Sequence, residues 1–192
     1  MPKLPLTPSQ TVGPYFSMKL KPVDVLAGAD VPGRKVRVEG RVLDGDGNPV
    51  EDALIEIWQA NAAGRYRHPG DTRAELPLHD AFTGHGRVHS DFKTGEYAFT
   101  TVKPGRVPDP AGGLQAPHLS LIVTARGVLL HMHTRMYFGD EPEANADDFV
   151  LRRVPAERRS TLIAEVVPNG ETPTYRFDVR LQGDGETVFF DL

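Results

Sequence analysis

The sequence predicts an all-β sandwich. Three features point there: short apolar runs alternating with period two, dense turn signals between them, and 19 glycines and 17 prolines in 192 residues, many placed where the runs break. Period two sends successive side chains to opposite faces of a strand, so alternation marks a strand with one face in a core. Many such strands at short, turn-punctuated intervals are the pattern of a sandwich.

Residues 1–34 hold six prolines and no sustained periodicity. They read as an extended arm, with Tyr15, Phe16, Met18 and Leu20 as apolar anchors, and residues 35–192 as the sandwich core domain. From Lys35 the alternation begins: Val36, Val38 and Val42 share one face, and Lys35, Arg37, Glu39 and Arg41 the other. The run Asp44-Gly45-Asp46-Gly47-Asn48-Pro49 is a turn, and Ala53–Gln59 is expected to return alongside the first strand. Tyr97–Thr101 alternates again after the Thr94-Gly95 turn. His118–Ala125 and Val128–Phe138 should pair as a hairpin across Arg126-Gly127. Thr174–Gln182 has the cleanest alternation, with Tyr175, Phe177, Val179 and Leu181 inward. Helix is conceivable only at Glu141–Leu151 and Ala156–Val166, neither strongly amphipathic.

Composition excludes several functions. Without cysteine there are no disulfides, thiolate zinc sites or iron–sulfur clusters. Charges are mixed and sum to −4, which argues against nucleic-acid binding or a polybasic membrane patch. The first residues lack the apolar core of a signal peptide, and the apolar stretches are too short to span a bilayer, so a cytoplasmic location is expected.

Two local motifs suggest metals and both have plainer accounts. Asp44-x-Asp46-x-Asn48 begins like a calcium loop, but that loop needs glycine sixth and glutamate twelfth, where this chain has Pro49 and Ile55. His131-Met132-His133 puts two imidazoles on one strand face, yet Arg135 shares that face, and a fixed cation opposes a metal ion. His79, His85 and His89 fall in a loop-like region and receive no role. Phosphate-binding glycine loops and a Gly-x-Ser-x-Gly elbow are absent.

Seven segments in order carry the reading further. They are Thr7–Tyr15, Glu56-Ile57-Trp58-Gln59-Ala60-Asn61, Gly64-Arg65-Tyr66-Arg67-His68, Lys103-Pro104-Gly105, Ala116-Pro117-His118, Met136-Tyr137-Phe138 and Gly185–Asp191. Together they resemble the intradiol ring-cleavage dioxygenases over nearly the whole chain, and the stretch Ala116–Gly127 is most similar to the α-type chain of the two-chain members. That resemblance implies an enzyme in which two tyrosines and two histidines hold ferric iron, since phenolates stabilise Fe(III) and imidazoles complete its shell. Tyr66 and His118 match one ligand of each kind, whereas Val107 and Ser120 stand where the second tyrosine and histidine would be. The resemblance therefore implies a vestigial site, with Fe(3+) held by a homologous β chain. In αβ units of a larger oligomer, the pair would cleave 3,4-dihydroxybenzoate with O2 to 3-carboxy-cis,cis-muconate. It further implies that Gly13, Pro14 and Tyr15 of the arm line the partner's substrate pocket and that Arg126 points toward it.

Two other readings stand beside it. Gly40-Arg41-Val42-x-Asp44-x-x-Gly47-x-Pro49-Val50 also resembles transthyretin-like sandwiches, which would make the chain a non-catalytic binding module. A self-sufficient iron site could instead draw on Tyr66, His118, His131 and His133.

Overall fold

The computed structural model describes residues 20–168 and 172–191. Along the chain run β1 (Lys35–Leu43), β2 (Leu54–Trp58), β3 (His85–His89), β4 (Glu96–Val102), β5 (Val107–Pro108), β6 (Leu114–Gln115), β7 (His118–Thr124) and β8 (Met132–Phe138). One helical turn and a half follows, α1 (Pro142–Asp147), then two 3₁₀ segments, Leu151–Arg153 and Ala156–Leu162. The chain closes with β9 (Ile163–Val167), β10 (Thr174–Arg176) and β11 (Val179–Arg180).

Nine strands make one hydrogen-bonded path in the order β11-β1-β10-β9-β8-β7-β2-β3, with β4 on β1, and β5–β6 form a separate ribbon. β9 is the corner: its start pairs parallel with β8 at Tyr137↔Ile163, and its end pairs antiparallel with β10 at Tyr175↔Val166. The two halves bury one core. Ile55, Ile57, Leu119, Leu121, Val123, Met136 and Phe138 come from one side, and Val36, Val38, Val42, Tyr97, Phe99 and Tyr175 from the other. This is the all-β sandwich that the alternation predicts.

Several expectations need correction. Ala53–Gln59 does form a strand, but β2 pairs with β3 and β7 and not with β1. The Asp44 carboxylate caps the turn through the amides of Asp46 and Asn48, and the return along β1 stops at the single bridge Leu43↔Pro49. The chain then crosses to the opposite half of the sandwich. The histidine-containing region assigned to a loop includes β3, whose alternation was too short to read. Ala156–Val166 is a 3₁₀ segment followed by a strand and not a continuous helix. Thr174–Gln182 is broken between β10 and β11 at Phe177-Asp178, beside β1 at Gly40, where a Cβ would lie 1.9 Å from the Phe177 carbonyl oxygen.

Within the predicted arm, residues 20–34 lie against β3 and β4 through isolated bridges, Val23↔Arg87 and Val25↔Thr100. The anchor there is Leu26, fully buried in the main core, while Leu20 is only half-buried. Tyr15, Phe16 and Met18 lie outside the described residues, as do Gly13 and Pro14. No helix among the described residues is long and apolar enough to cross a membrane.

Candidate functional site

The site lies on the outer face of the sheet formed by β2, β7 and β8. Register determines its composition. Trp58 on β2 pairs with Ser120 on β7, and Ser120 pairs with Arg135 on β8. Directly opposed residues share a face, so indole, hydroxymethyl and guanidinium form one row. The neighbouring pair, His118 with Tyr137, extends it. Ser120 is the small member of that row.

Two loops complete the walls. After β2, the Asn61 side chain accepts hydrogen bonds from the amides of Ala63 and Arg65, closing a tight turn that presents Tyr66. Arg65 and Arg67 donate to the carbonyls of Leu76 and Phe82, which fixes the segment beyond it. The second wall is the β5–β6 ribbon, carrying Val107 and Gln115. It is set against the first at glycines: a Cβ on Gly64 (φ +80°) would fall 2.1 Å from the Arg106 carbonyl oxygen, and one on Gly105 would fall 2.5 Å from that of Ala62. No larger residue allows that approach.

The result is an open cavity of about 670 Å³ lined by Trp58, Tyr66, Val107, Gln115, His118 and Arg135, among others. Trp58 and Tyr66 stack with ring centroids 5.8 Å apart and planes 4° from parallel. His118 is buried, and its Nδ1 lies 2.8 Å from the Ala116 carbonyl oxygen, so that nitrogen carries the proton and Nε2 keeps a lone pair. Burial, with Arg135 adding to it, lowers the His118 pKa to about 4, so the ring is neutral at pH 7. Burial also raises the Tyr66 phenol, against an opposing pull from Arg135 and Arg73. Asp71 and Arg73 neutralise one another at 2.8 Å, and the bonded guanidinium holds the Asp71 carboxyl well below its usual range.

Ferric iron does not fit this set of side chains. Tyr66 and His118 share the cavity with Val107, whose side chain has no lone pair to donate, while Ser120 offers only a neutral hydroxyl and lines the neighbouring cavity. Burial favours the neutral form of both retained groups, and the charge that acts most on both is the Arg135 cation. His131 and His133 do not complete the site. They meet edge to face at 4.9 Å, and His133 lines a different cavity with Ser120, Val154 and Phe190. Among the described residues no three His, Asp or Glu side chains converge as metal ligands.

Arg126 lies at the opposite end of β7, beyond Thr124. Its Nε is 3.0 Å from Asp52 Oδ2 and its Nη2 3.6 Å from Glu51 Oε2, while the side chain remains about half exposed (49%). Asp52 is buried and has φ +52°, a left-handed backbone rarely adopted by residues other than glycine. The structure therefore does not bring Arg126 into the Tyr66–His118 cavity; it holds it at the hairpin end by charge. From the sequence Arg135 stands out only as an obstacle to metal, and neither Trp58 nor Gln115 is marked as a site residue. The parity of Ser120 and Arg135 on their strands, read together, was the available signal.

A sandwich of this topology, with a tyrosine and a histidine converging on one outer cavity, defines a class, and the comparisons identify it. The Dioxygenase family profile matches residues 12–183, and the chain belongs to that family. It is similar to the protocatechuate 3,4-dioxygenase alpha chain of Pseudomonas putida, 43% identical over 202 residues that cover 98% of both chains. The Burkholderia cepacia alpha chain is likewise 43% identical, covering 100% of each. The beta chain from Burkholderia cepacia is 35% identical over 81% of this chain and 67% of its own. Among solved structures, the dioxygenase domain of a carbohydrate-binding fusion from Streptomyces sp. SirexAA-E has a TM-score of 0.65 and 25% identity, covering 92% of this chain and 98% of that one. These relatives stand against a free-standing transthyretin-like binding module.

Proposed function

We propose that the chain is the non-iron half of a two-chain intradiol dioxygenase acting on 3,4-dihydroxybenzoate. The product is 3-carboxy-cis,cis-muconate, formed by insertion of both atoms of O2. Full-length 43% identity to two protocatechuate 3,4-dioxygenase alpha chains supports the assignment. One observation on the chain itself carries the division of labour. Tyr66 and His118 persist at the matching cavity, yet Val107, Ser120 and the Arg135 cation make it unsuited to iron. The iron belongs, in this reading, to the homologous β chain, where it would bind the catecholate and render it reactive toward dioxygen.

This chain's own part is to wall and charge the partner's pocket. Gly13, Pro14 and Tyr15 supply the arm, and Arg126 supplies a cation for the substrate carboxylate. Arg126 suits that role because it is half exposed at a hairpin end and held in place by Asp52. A guanidinium stays protonated at any physiological pH.

Expression alone and with the β chain tests the proposal. Alone, the chain should purify colourless and without stoichiometric iron. Together they should give a coloured, active complex whose iron content tracks the β chain. Near-stoichiometric iron with a phenolate-to-iron absorption band in the single chain would overturn the division of labour.

A further inference from the structure

The cavity that does not fit iron has a different chemical character. Its floor is the Trp58–Tyr66 stack, a flat apolar wall at the edge of an opening large enough for a substituted benzene ring. Its far side is Arg135. Among the described residues no carboxylate comes within ion-pair reach of that guanidinium; its hydrogen-bond acceptors are neutral, the Gln115 Oε1 at 2.7 Å and the Tyr137 hydroxyl. The nearby acidic groups are otherwise engaged. Asp71 is bonded to Arg73, and Asp148 accepts from the Tyr137 hydroxyl and from the amides of Ala116, Val150 and Leu151. The lining carboxylate, Asp71, is already neutralised by Arg73, so the Arg135 charge at the cavity wall is the one that attracts an anion. A planar guanidinium matches a carboxylate with two parallel N–H···O bonds. Trp58 and Arg135, two strands apart in register, both line this cavity.

We propose that this cavity is a metal-free receptor for an aromatic carboxylate, the ring lying against Trp58 and Tyr66 and the carboxylate held by Arg135. The site is separate from the one proposed in the partner chain, needs neither iron nor dioxygen, and does not turn its ligand over. Because His118 keeps a lone pair on Nε2 and is neutral, it adds no competing charge.

Trp58 is the sole tryptophan of the chain and so a direct reporter. Benzoate, which lacks the hydroxyls needed for iron chelation, is titrated into the full-length chain while Trp58 emission is followed. The expected result is saturable quenching with Kd on the order of 1 mM, the range of a small-molecule anchor. Arg135→Gln should weaken it by about tenfold or more, in line with loss of a charge-assisted contact, and Arg135→Lys should restore part of it. Tyr66→Leu should weaken binding while leaving Arg135 in place, and it decides the matter if Arg135→Gln fails to fold. Acetate should have no comparable effect. Absence of saturation, wild-type affinity in the arginine or the tyrosine variant, or equal quenching by acetate would each overturn the proposal.

Discussion

The hairpin of β7 and β8 carries an arginine near each end, and the two are held by different physics. Arg126, just past β7, is matched by two carboxylates, one of them buried. Arg135, on β8, lies across the sheet from Trp58 and has neutral partners, the Gln115 amide and the Tyr137 hydroxyl. One charge is stabilised within its own chain and can be offered elsewhere only while tethered. The other has only neutral partners among the described residues. The surrounding framework differs in the same sense. At the Arg135 end, backbone packs on backbone through Gly64 and Gly105, a contact indifferent to salt. At the Arg126 end, position depends on Coulomb attraction, which salt weakens.

The largest effect is expected from breaking the backbone-built end. In Gly64→Ala the new Cβ meets the Arg106 carbonyl at 2.1 Å with φ +80°, so the two loops must part. A destabilisation of about 3 kcal/mol or more is expected from combined strain and clash. Denaturant unfolding checks it, and an unchanged midpoint would mean that the loops are not coupled there.

Arg126→Ala tests the charge-built end twice. In the assembled two-chain enzyme, kcat/KM for 3,4-dihydroxybenzoate should fall roughly ten- to a hundred-and-fifty-fold, the worth of a charge-assisted contact. The loss should shrink for catechol, which lacks the carboxylate; equal losses with both would assign the arginine to the hydroxyls or to assembly. The same change strands the buried Asp52 carboxylate, at a cost of about 1–3 kcal/mol. Adding Asp52→Asn should recover most of that stability, because asparagine tolerates φ +52° and needs no counter-charge.

His118 predicts acid sensitivity at the pocket end. Its folded pKa of about 4 lies below the ordinary value of 6.5, so between those values the unfolded chain binds the extra proton and the folded chain does not. Stability is therefore full above pH 6.5 and falls as pH drops toward 4, by about 2 kcal/mol between pH 7 and 5. His118→Asn should flatten that segment of the pH–stability profile. If wild type and variant lose stability in parallel, the sensitivity arises elsewhere.

The smallest effect sharpens the contrast. Arg135→Gln removes a half-buried cation with no ion-pair partner among the described residues, so unfolding should change by no more than about 0.5 kcal/mol. A loss comparable to that of Arg126→Ala would show that Arg135 is structural after all.

The sequence by itself was enough for everything that depends on spacing within a strand. Val36, Val38 and Val42 were assigned to a core face from alternation alone, and all three are fully or almost fully buried. The His118–Phe138 hairpin and the Asp44 turn were also legible, since their determinants lie within a few residues of one another. The ordered family motifs located Tyr66, His118, Val107 and Ser120 before any geometry was available. What tertiary structure decided is which strands become neighbours. Nothing in Ala53–Gln59 says that it crosses to the opposite half of the sandwich, because strand pairing is settled by contacts distant in sequence. That crossing sets Trp58 opposite Ser120, and β8 then sets Arg135 on the far side of the same row. The cavity, its stacked aromatic wall and its uncompensated charge exist only through that long-range register.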